Sequence, residues 1–148
     1  MKIAIIYKSI HHGNTKKIAE VMAKTLEAEL LDLKDVNKDI IKKYDLIGFG
    51  SGIYYGKPHK KFMNFVEGLD AADNKKAFVF TTSGRGKPNK WLKENLLDKG
   101  FDVIGEFHCK GYDTYGLTKI VGGISKGKPD EEDLENAETF AMDLKRKY

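Results

Sequence analysis

The 148-residue sequence predicts an α/β protein whose parallel sheet of five strands is doubly wound, with helices on both faces. Three observations predict it. Short apolar runs of strand length recur along the chain, segments of helical periodicity separate them, and loops rich in glycine and small polar residues follow strands one, three and four. Strands alternating with helices close as a parallel sheet with right-handed crossovers, and such sheets bind ligands beyond the carboxyl ends of their strands.

The first strand is Lys2 to Tyr7, where Ile3, Ile5 and Ile6 suit a strand buried on both faces. Asn14 to Glu29 carries Ile18, Val21, Met22 and Leu26 at helical spacing, with Asn14 or Thr15 as candidate cap. Leu30 to Leu33 is a weak second strand, Lys38 to Tyr44 at most a short helix, and Asp45 to Gly50 a strong third strand. Lys57-Pro58 is expected to open a helix reaching Leu69, with Phe62, Phe65 and Val66 on one face. Lys76 to Thr81 is the fourth strand. Pro88 is expected to open a helix through Trp91, Leu92 and Leu96 to Gly100, with Trp91 packed on the sheet, and Phe101 to Phe107 is the fifth strand. Pro129 to Lys147 closes the chain as a helix with Leu134, Ala137, Phe140, Ala141 and Leu144 at helical spacing.

Bulk properties narrow the class. A chain of this length, 41% hydrophobic and 32% charged, reads as one domain over 1–148, with no stretch long and apolar enough for membrane insertion. The lone Cys109 excludes an internal disulfide, and a cytoplasmic location is expected. The net charge of +4 comes without a nucleic-acid-binding motif, so it points to acidic partners and not to nucleic acid.

The loop after the first strand, Ser9-Ile10-His11-His12-Gly13-Asn14-Thr15, suits an anion. Backbone N–H groups at a helix start face the ligand, Gly13 permits close approach, and Ser9, Asn14 and Thr15 add polar donors. A phosphate monoester fits better than a polyphosphate, because neither a P-loop lysine nor a three-glycine dinucleotide fingerprint is present. Read plainly, Thr15 is a cap and Gly13 a turn residue. His11 and His12 are adjacent and His59 and His108 fall in other elements, so no metal site is expected; a histidine donating to the phosphate is the functional alternative to a solvated one.

After the third strand, Gly50-Ser51-Gly52-Ile53-Tyr54-Tyr55-Gly56-Lys57-Pro58 offers glycines against which a ligand can press and two tyrosines for stacking, which suits a planar ring. Gly52 or Gly56 would let a peptide reorient and its carbonyl bond a ring nitrogen once that nitrogen gains a proton. A surface turn with partly packed tyrosines is the plainer reading. Thr81-Thr82-Ser83-Gly84-Arg85-Gly86 supplies small polar residues for the ring's other edge.

Two features are set aside. Gly122 to Lys128 matches the letters of a P-loop, but Pro129 stands where a magnesium-binding hydroxyl is needed. Cys109 lies beside Lys110, a cation able to lower a thiol pKa, yet a single cysteine is more often a small packing residue.

Taken together, the loops Ser9–Thr15, Gly50–Gly56 and Thr81–Gly86, with Cys109, Gly111, Gly122-Gly123 and Pro129 before the final helix, resemble the flavodoxin family and its short-chain members. The resemblance implies a flavodoxin-like sheet in strand order 2-1-3-4-5 and non-covalent FMN. Cofactor contacts would come from Ser9, His11, His12, Gly13, Asn14 and Thr15, from Ser51, Gly52, Ile53, Tyr54, Tyr55 and Gly56, and from Thr82, Ser83 and Gly84. No catalytic side chain and no metal are implied. The first loop is longer than usual, and no aromatic residue follows the fourth strand, leaving Tyr112 or Tyr115 to cover the ring. The implied activity is electron transfer between protein redox partners, acidic ones included, by a monomer or weak dimer. An FMN-dependent NAD(P)H:quinone-type oxidoreductase, which Arg85 and Lys87 would serve by receiving an anionic nicotinamide cofactor, and a non-redox interaction domain are the alternatives.

Overall fold

The computed structural model describes residues 1–10, 13–111 and 126–148. Along the chain these form β1 (Ile3–Lys8), α1 (Asn14–Leu26), β2 (Glu29–Asp32), β3 (Leu46–Tyr54), β4 (Lys57–Pro58), α2 (Lys60–Glu67), β5 (Lys76–Ser83), α3 (Lys90–Asp98), β6 (Asp102–Lys110) and α4 (Glu131–Lys147). Two 3-10 turns, Leu33–Asp35 and Lys38–Lys43, lie between β2 and β3. The sheet order is β2-β1-β3-β5-β6, all parallel, which is the expected 2-1-3-4-5 once the antiparallel β4 is left out of the count.

Alternation along the central strands divides the core in two. Ala4, Ile6, Ile47, Phe49, Ala77 and Val79 face α2 and α3, while Ile5, Tyr7, Leu46, Phe78 and Phe80 face α1 and α4. Continuous apolar runs are what a strand covered on both sides requires. On the α1/α4 face, β3 presents Gly48 and Gly50 opposite Phe78 and Phe80 of β5. A Cβ on either glycine would overlap the opposing ring, so the two phenylalanines fill the space that β3 leaves empty. Trp91 is half-buried against the α2/α3 core, as its spacing predicts.

Element boundaries differ from expectation for identifiable reasons. β3 continues through Tyr54 because Ser51 still pairs with Lys8 of β1 and Gly52 with Thr82 of β5. Lys57-Pro58 does not open α2. The residue before a proline is driven to extended backbone, and here Lys57 and Pro58 pair with Tyr54 and Ile53 as β4. The cap of α2 is His59, whose side chain accepts from the Lys61 N–H. Pro88 likewise precedes the start of α3, which Asn89 caps by accepting from the Trp91 N–H. Gly13, in the left-handed region at φ 68°, occupies the cap position of α1, and neither Asn14 nor Thr15 caps it. α4 begins at Glu131 with a reciprocal capping box between Asp130 and Asp133.

Candidate functional site

Parallel pairing in register brings three loops to one edge of the sheet. Lys8 at the end of β1 lies beside Ser51, and Gly52 lies beside Thr82 near the end of β5, so the turns after β1, β3 and β5 leave from adjacent positions. The switch in strand order falls between β1 and β3, where crevices form in doubly wound sheets.

The first turn of α1 is open toward this edge. Gly13 at the cap position has no side chain to cap the helix and supplies the left-handed turn. The Lys16 N–H donates to Ser9 Oγ at 3.3 Å, which sets the Ser9 hydroxyl against the helix start. Thr15 is 1% exposed, and its Oγ1 lies 2.9 Å from Oγ1 of Thr82. This buried hydroxyl pair ties the first loop to the third. The Asn14 amide rests on Gly111, where a Cβ would fall 2.6 Å from Nδ2. His11 and His12 lie outside the described residues, as do Tyr112, Tyr115 and Gly122-Gly123.

The second loop is a hairpin tip. Tyr55 (φ 51°) and Gly56 (φ 78°) stand between the paired Tyr54 and Lys57, and two positive φ values define a type I′ turn. Tyr55 is 73% exposed at this tip. Gly52 lies beneath the Tyr54 hydroxyl, and a Cβ there would overlap it. Ser51 is fully buried: its hydroxyl donates to the Gly52 carbonyl at 2.8 Å and accepts from the His59 N–H at 3.2 Å. The Ser51 hydroxyl therefore braces the hairpin from within, and Ile53, half-buried, pairs with Pro58.

In the third loop, Ser83 Oγ accepts from the Gly86 N–H at 2.9 Å, and the Ser83 carbonyl accepts from the Gly111 N–H at 2.9 Å. Gly84 is buried. Asn89 joins this loop to the second: besides capping α3, its Nδ2 donates to the Gly56 carbonyl at 2.7 Å. Thr15–Thr82 and Asn89–Gly56 together link all three loops. Asn89 was not singled out by its sequence context beyond its place before a helical segment, where a capping side chain is a local and common feature.

His59 sits at the base of the hairpin, edge-on to the Tyr54 ring at 6.3 Å. Its Nδ1 accepts from Lys61, so the neutral ring carries its proton on Nε2. Burial, then the charges of Lys8 and Lys61, hold its pKa below the ordinary value. A lowered histidine pKa means that the unfolded chain takes up the proton first. Stability is therefore full above the unfolded pKa and falls as pH drops below about 6.5 toward the folded pKa. Thermal unfolding followed from pH 7 to pH 5 should show this loss, and His59→Asn, which keeps a capping acceptor without the titration, should flatten it.

A cavity of about 340 Å³ lies between the third loop at Gly86, β6 and the start of α4, with Phe107, Cys109, Lys128 and Asp133 among its walls. In keeping with the packing reading of Cys109, burial and the charge of Asp133 push its thiol up to about 12 against the opposing effect of Lys128. Cys109 is a buried packing residue with no thiolate at neutral pH. Among the described residues no cluster of histidine, cysteine and carboxylate side chains is arranged to hold a metal ion. No helix among them is long and apolar enough to cross a membrane.

Residues 4–120 match the sequence pattern of the flavodoxin domain. The chain belongs to the flavodoxin family. An uncharacterized protein of Methanocaldococcus jannaschii is 48% identical over 148 residues, covering 97% of this chain and 98% of that protein. The flavodoxin-like domain-containing protein BilS of Clostridioides difficile is 28% identical over 145 residues, covering 90% of this chain and 80% of that protein. Among solved structures, a flavodoxin of Streptococcus pneumoniae superposes with a TM-score of 0.76 at 17% identity, each chain covered in full. A flavodoxin from the domain Archaea superposes at 0.73 with 21% identity over 98% of this chain and 97% of that one. At those identities the structures establish the flavodoxin-like fold of this domain.

Proposed function

We propose that this protein binds FMN non-covalently at the three-loop edge and carries electrons between protein redox partners. The observation that carries the reading is an α1 N-terminus capped by a left-handed glycine, set beside a tyrosine-bearing hairpin and a loop of small residues that are hydrogen-bonded to it and to each other. A helix N-terminus of that kind suits a phosphate, and the hairpin tip, with the exposed Tyr55 ring and open space beside Gly56, suits the face and edge of a flat ring.

The donor set fits FMN. Ser9, Gly13, Asn14 and Thr15, with His11 and His12 of the same loop, would hold the phosphate; Thr15 contributes its backbone, since its hydroxyl is engaged with Thr82. Gly52, Ile53, Tyr54, Tyr55 and Gly56 would flank the ring on one side, and Thr82, Ser83 and Gly84 on the other. Ser51 would act through the hairpin it braces. When bound, the flavin supplies the electron chemistry, and the protein contributes binding, orientation and local charge. Membership of the flavodoxin family and the fold shared with solved flavodoxins support the same reading.

The test is the visible spectrum of protein purified without added cofactor, followed by titration of FMN into the stripped protein. Flavin absorbance and quenching of FMN fluorescence are expected. A colourless preparation that leaves FMN fluorescence unchanged would overturn the reading in favour of a non-redox interaction domain. Steady NAD(P)H oxidation without a partner protein would replace the carrier by a reductase.

A further inference from the structure

Charge is distributed unevenly over this chain, and the imbalance coincides with the three-loop edge. Segments 8–17, 51–63 and 81–93, which supply the three loops and the first turns of the helices after them, contain ten lysine and arginine residues and no aspartate or glutamate. The remainder holds sixteen basic against twenty-two acidic residues, so the positive charge is concentrated in these three segments, while the turn after β2 with Asp32 and Asp35 and the start of α4 with Asp130 to Asp133 bring acids to the flanks of the same edge. Nine of those ten cations are exposed, Lys8 being half-buried, and none of them forms an ion pair among the described residues.

The placement runs against helix electrostatics. Acids belong in the first turn of a helix and bases in the last, and α4 obeys this with Glu131, Glu132 and Asp133 at its start and Lys145, Arg146 and Lys147 at its end. α1, α2 and α3 have no acid in their first turns. Lys16, Lys17, Lys60, Lys61 and Lys90 stand there instead. The three helices that depart from the rule are those that directly follow the three loops, whereas α4, which begins beside the third loop, keeps its acids. Local stability does not explain such a pattern; recognition of an anionic surface does.

We infer that this edge is the docking surface for an acidic electron-transfer protein, which approaches over the exposed Tyr55 tip and is held by the lysines of the first turns of α1, α2 and α3. The inference rests on the proposed flavin site, because it is there that a partner must come close for electrons to pass. Complementary charge accelerates encounter and sets orientation, and both effects weaken with salt. An acidic protein fits better than nucleic acid because the cations sit on three separate helix starts beside an aromatic tip instead of following a continuous groove.

The experiment pairs Lys61→Glu/Lys90→Glu with a control, Lys43→Glu/Lys147→Glu, that makes the same charge change at the opposite edge. The probe is a small acidic [2Fe–2S] ferredoxin. Its binding is measured by titration calorimetry on protein as isolated, and its electron transfer by stopped flow on FMN-loaded protein. Binding and transfer are expected to weaken about tenfold or more in the first variant at low salt, to change less than about threefold in the control, and to fade for wild type as salt is raised. The Tm of the first variant should be no lower than wild type, since acids replace bases at helix starts. Equal losses in both variants, a salt-independent affinity, tighter binding of a DNA duplex than of the ferredoxin, or a response confined to NADPH oxidation would each overturn the inference. Failure to bind FMN with ferredoxin binding intact would sink the flavin reading and leave the docking surface standing.

Discussion

Gly50→Ala is expected to destabilise the protein by about 3 kcal/mol, the upper part of the range for overpacking a close-packed core. The added methyl would overlap the Phe80 ring of the neighbouring strand. Phe80 is fully buried, and it stacks on Phe78 at 6.3 Å, which in turn meets Phe140 of α4 at 6.0 Å. The ring thus has no vacant direction in which to retreat, and β3 must shift away from β5. The register that places Ser51 and Gly52 beside Lys8 and Thr82 depends on that spacing, so the three-loop edge should loosen as well. Urea unfolding measures the loss. A double variant with Phe80→Leu, which removes the offending ring atoms, should recover part of it, giving a coupling energy of opposite sign to the single effects. Strict additivity, or a Gly50→Ala protein as stable as wild type, would show that the strands are not held against each other as described.

Ser9→Asp should separate binding from folding. The Lys16 N–H that now donates to Ser9 Oγ would meet a carboxylate, and a negative charge at a helix start is favourable by about 0.3–1 kcal/mol. The flavin-free protein should be at least as stable. The same carboxylate would occupy the position proposed for a phosphate. Two like charges about 4 Å apart repel by roughly 4 kcal/mol per pair of unit charges at the effective dielectric of a protein surface. After partial relief by water and by the nearby lysines, FMN affinity should fall about 100-fold. Riboflavin has the ring without the phosphate and should bind within about threefold of its wild-type affinity. Fluorescence titration with both ligands reads the two effects on one scale. An unchanged FMN affinity would remove the phosphate from this loop, and an equal loss for riboflavin would mean that the ring had been displaced.

The central strands were legible because a strand covered on both faces must be apolar throughout, and Ile3 to Ile6, Leu46 to Phe49 and Ala77 to Phe80 obey that requirement without help from distant residues. Ends were less legible. Ser51 and Gly52 have loop-like composition, yet they are strand because β1 and β5 lie on either side with unfilled hydrogen-bonding groups. Lys57 and Pro58 have the letters of a helix start, yet they fold back on Tyr54 and Ile53 as a hairpin. The three candidate loops were correctly expected at one edge, but the bonds that join them were not. Thr15 and Thr82 are 67 residues apart, and Asn89 and Gly56 are 33 apart. No local pattern encodes such pairs.

Order along the chain was sufficient for the alternation of strand and helix, the family, and which loops leave the carboxyl ends of the strands, because hydrophobic periodicity and glycine-rich turns act over a few residues. Packing had to supply the rest: which hydroxyls are spent inside the protein, why Gly48 and Gly50 must lack side chains, and that cations scattered over three segments converge on one edge. Those properties arise between segments that the chain keeps far apart, and they exist only once the strands lie side by side.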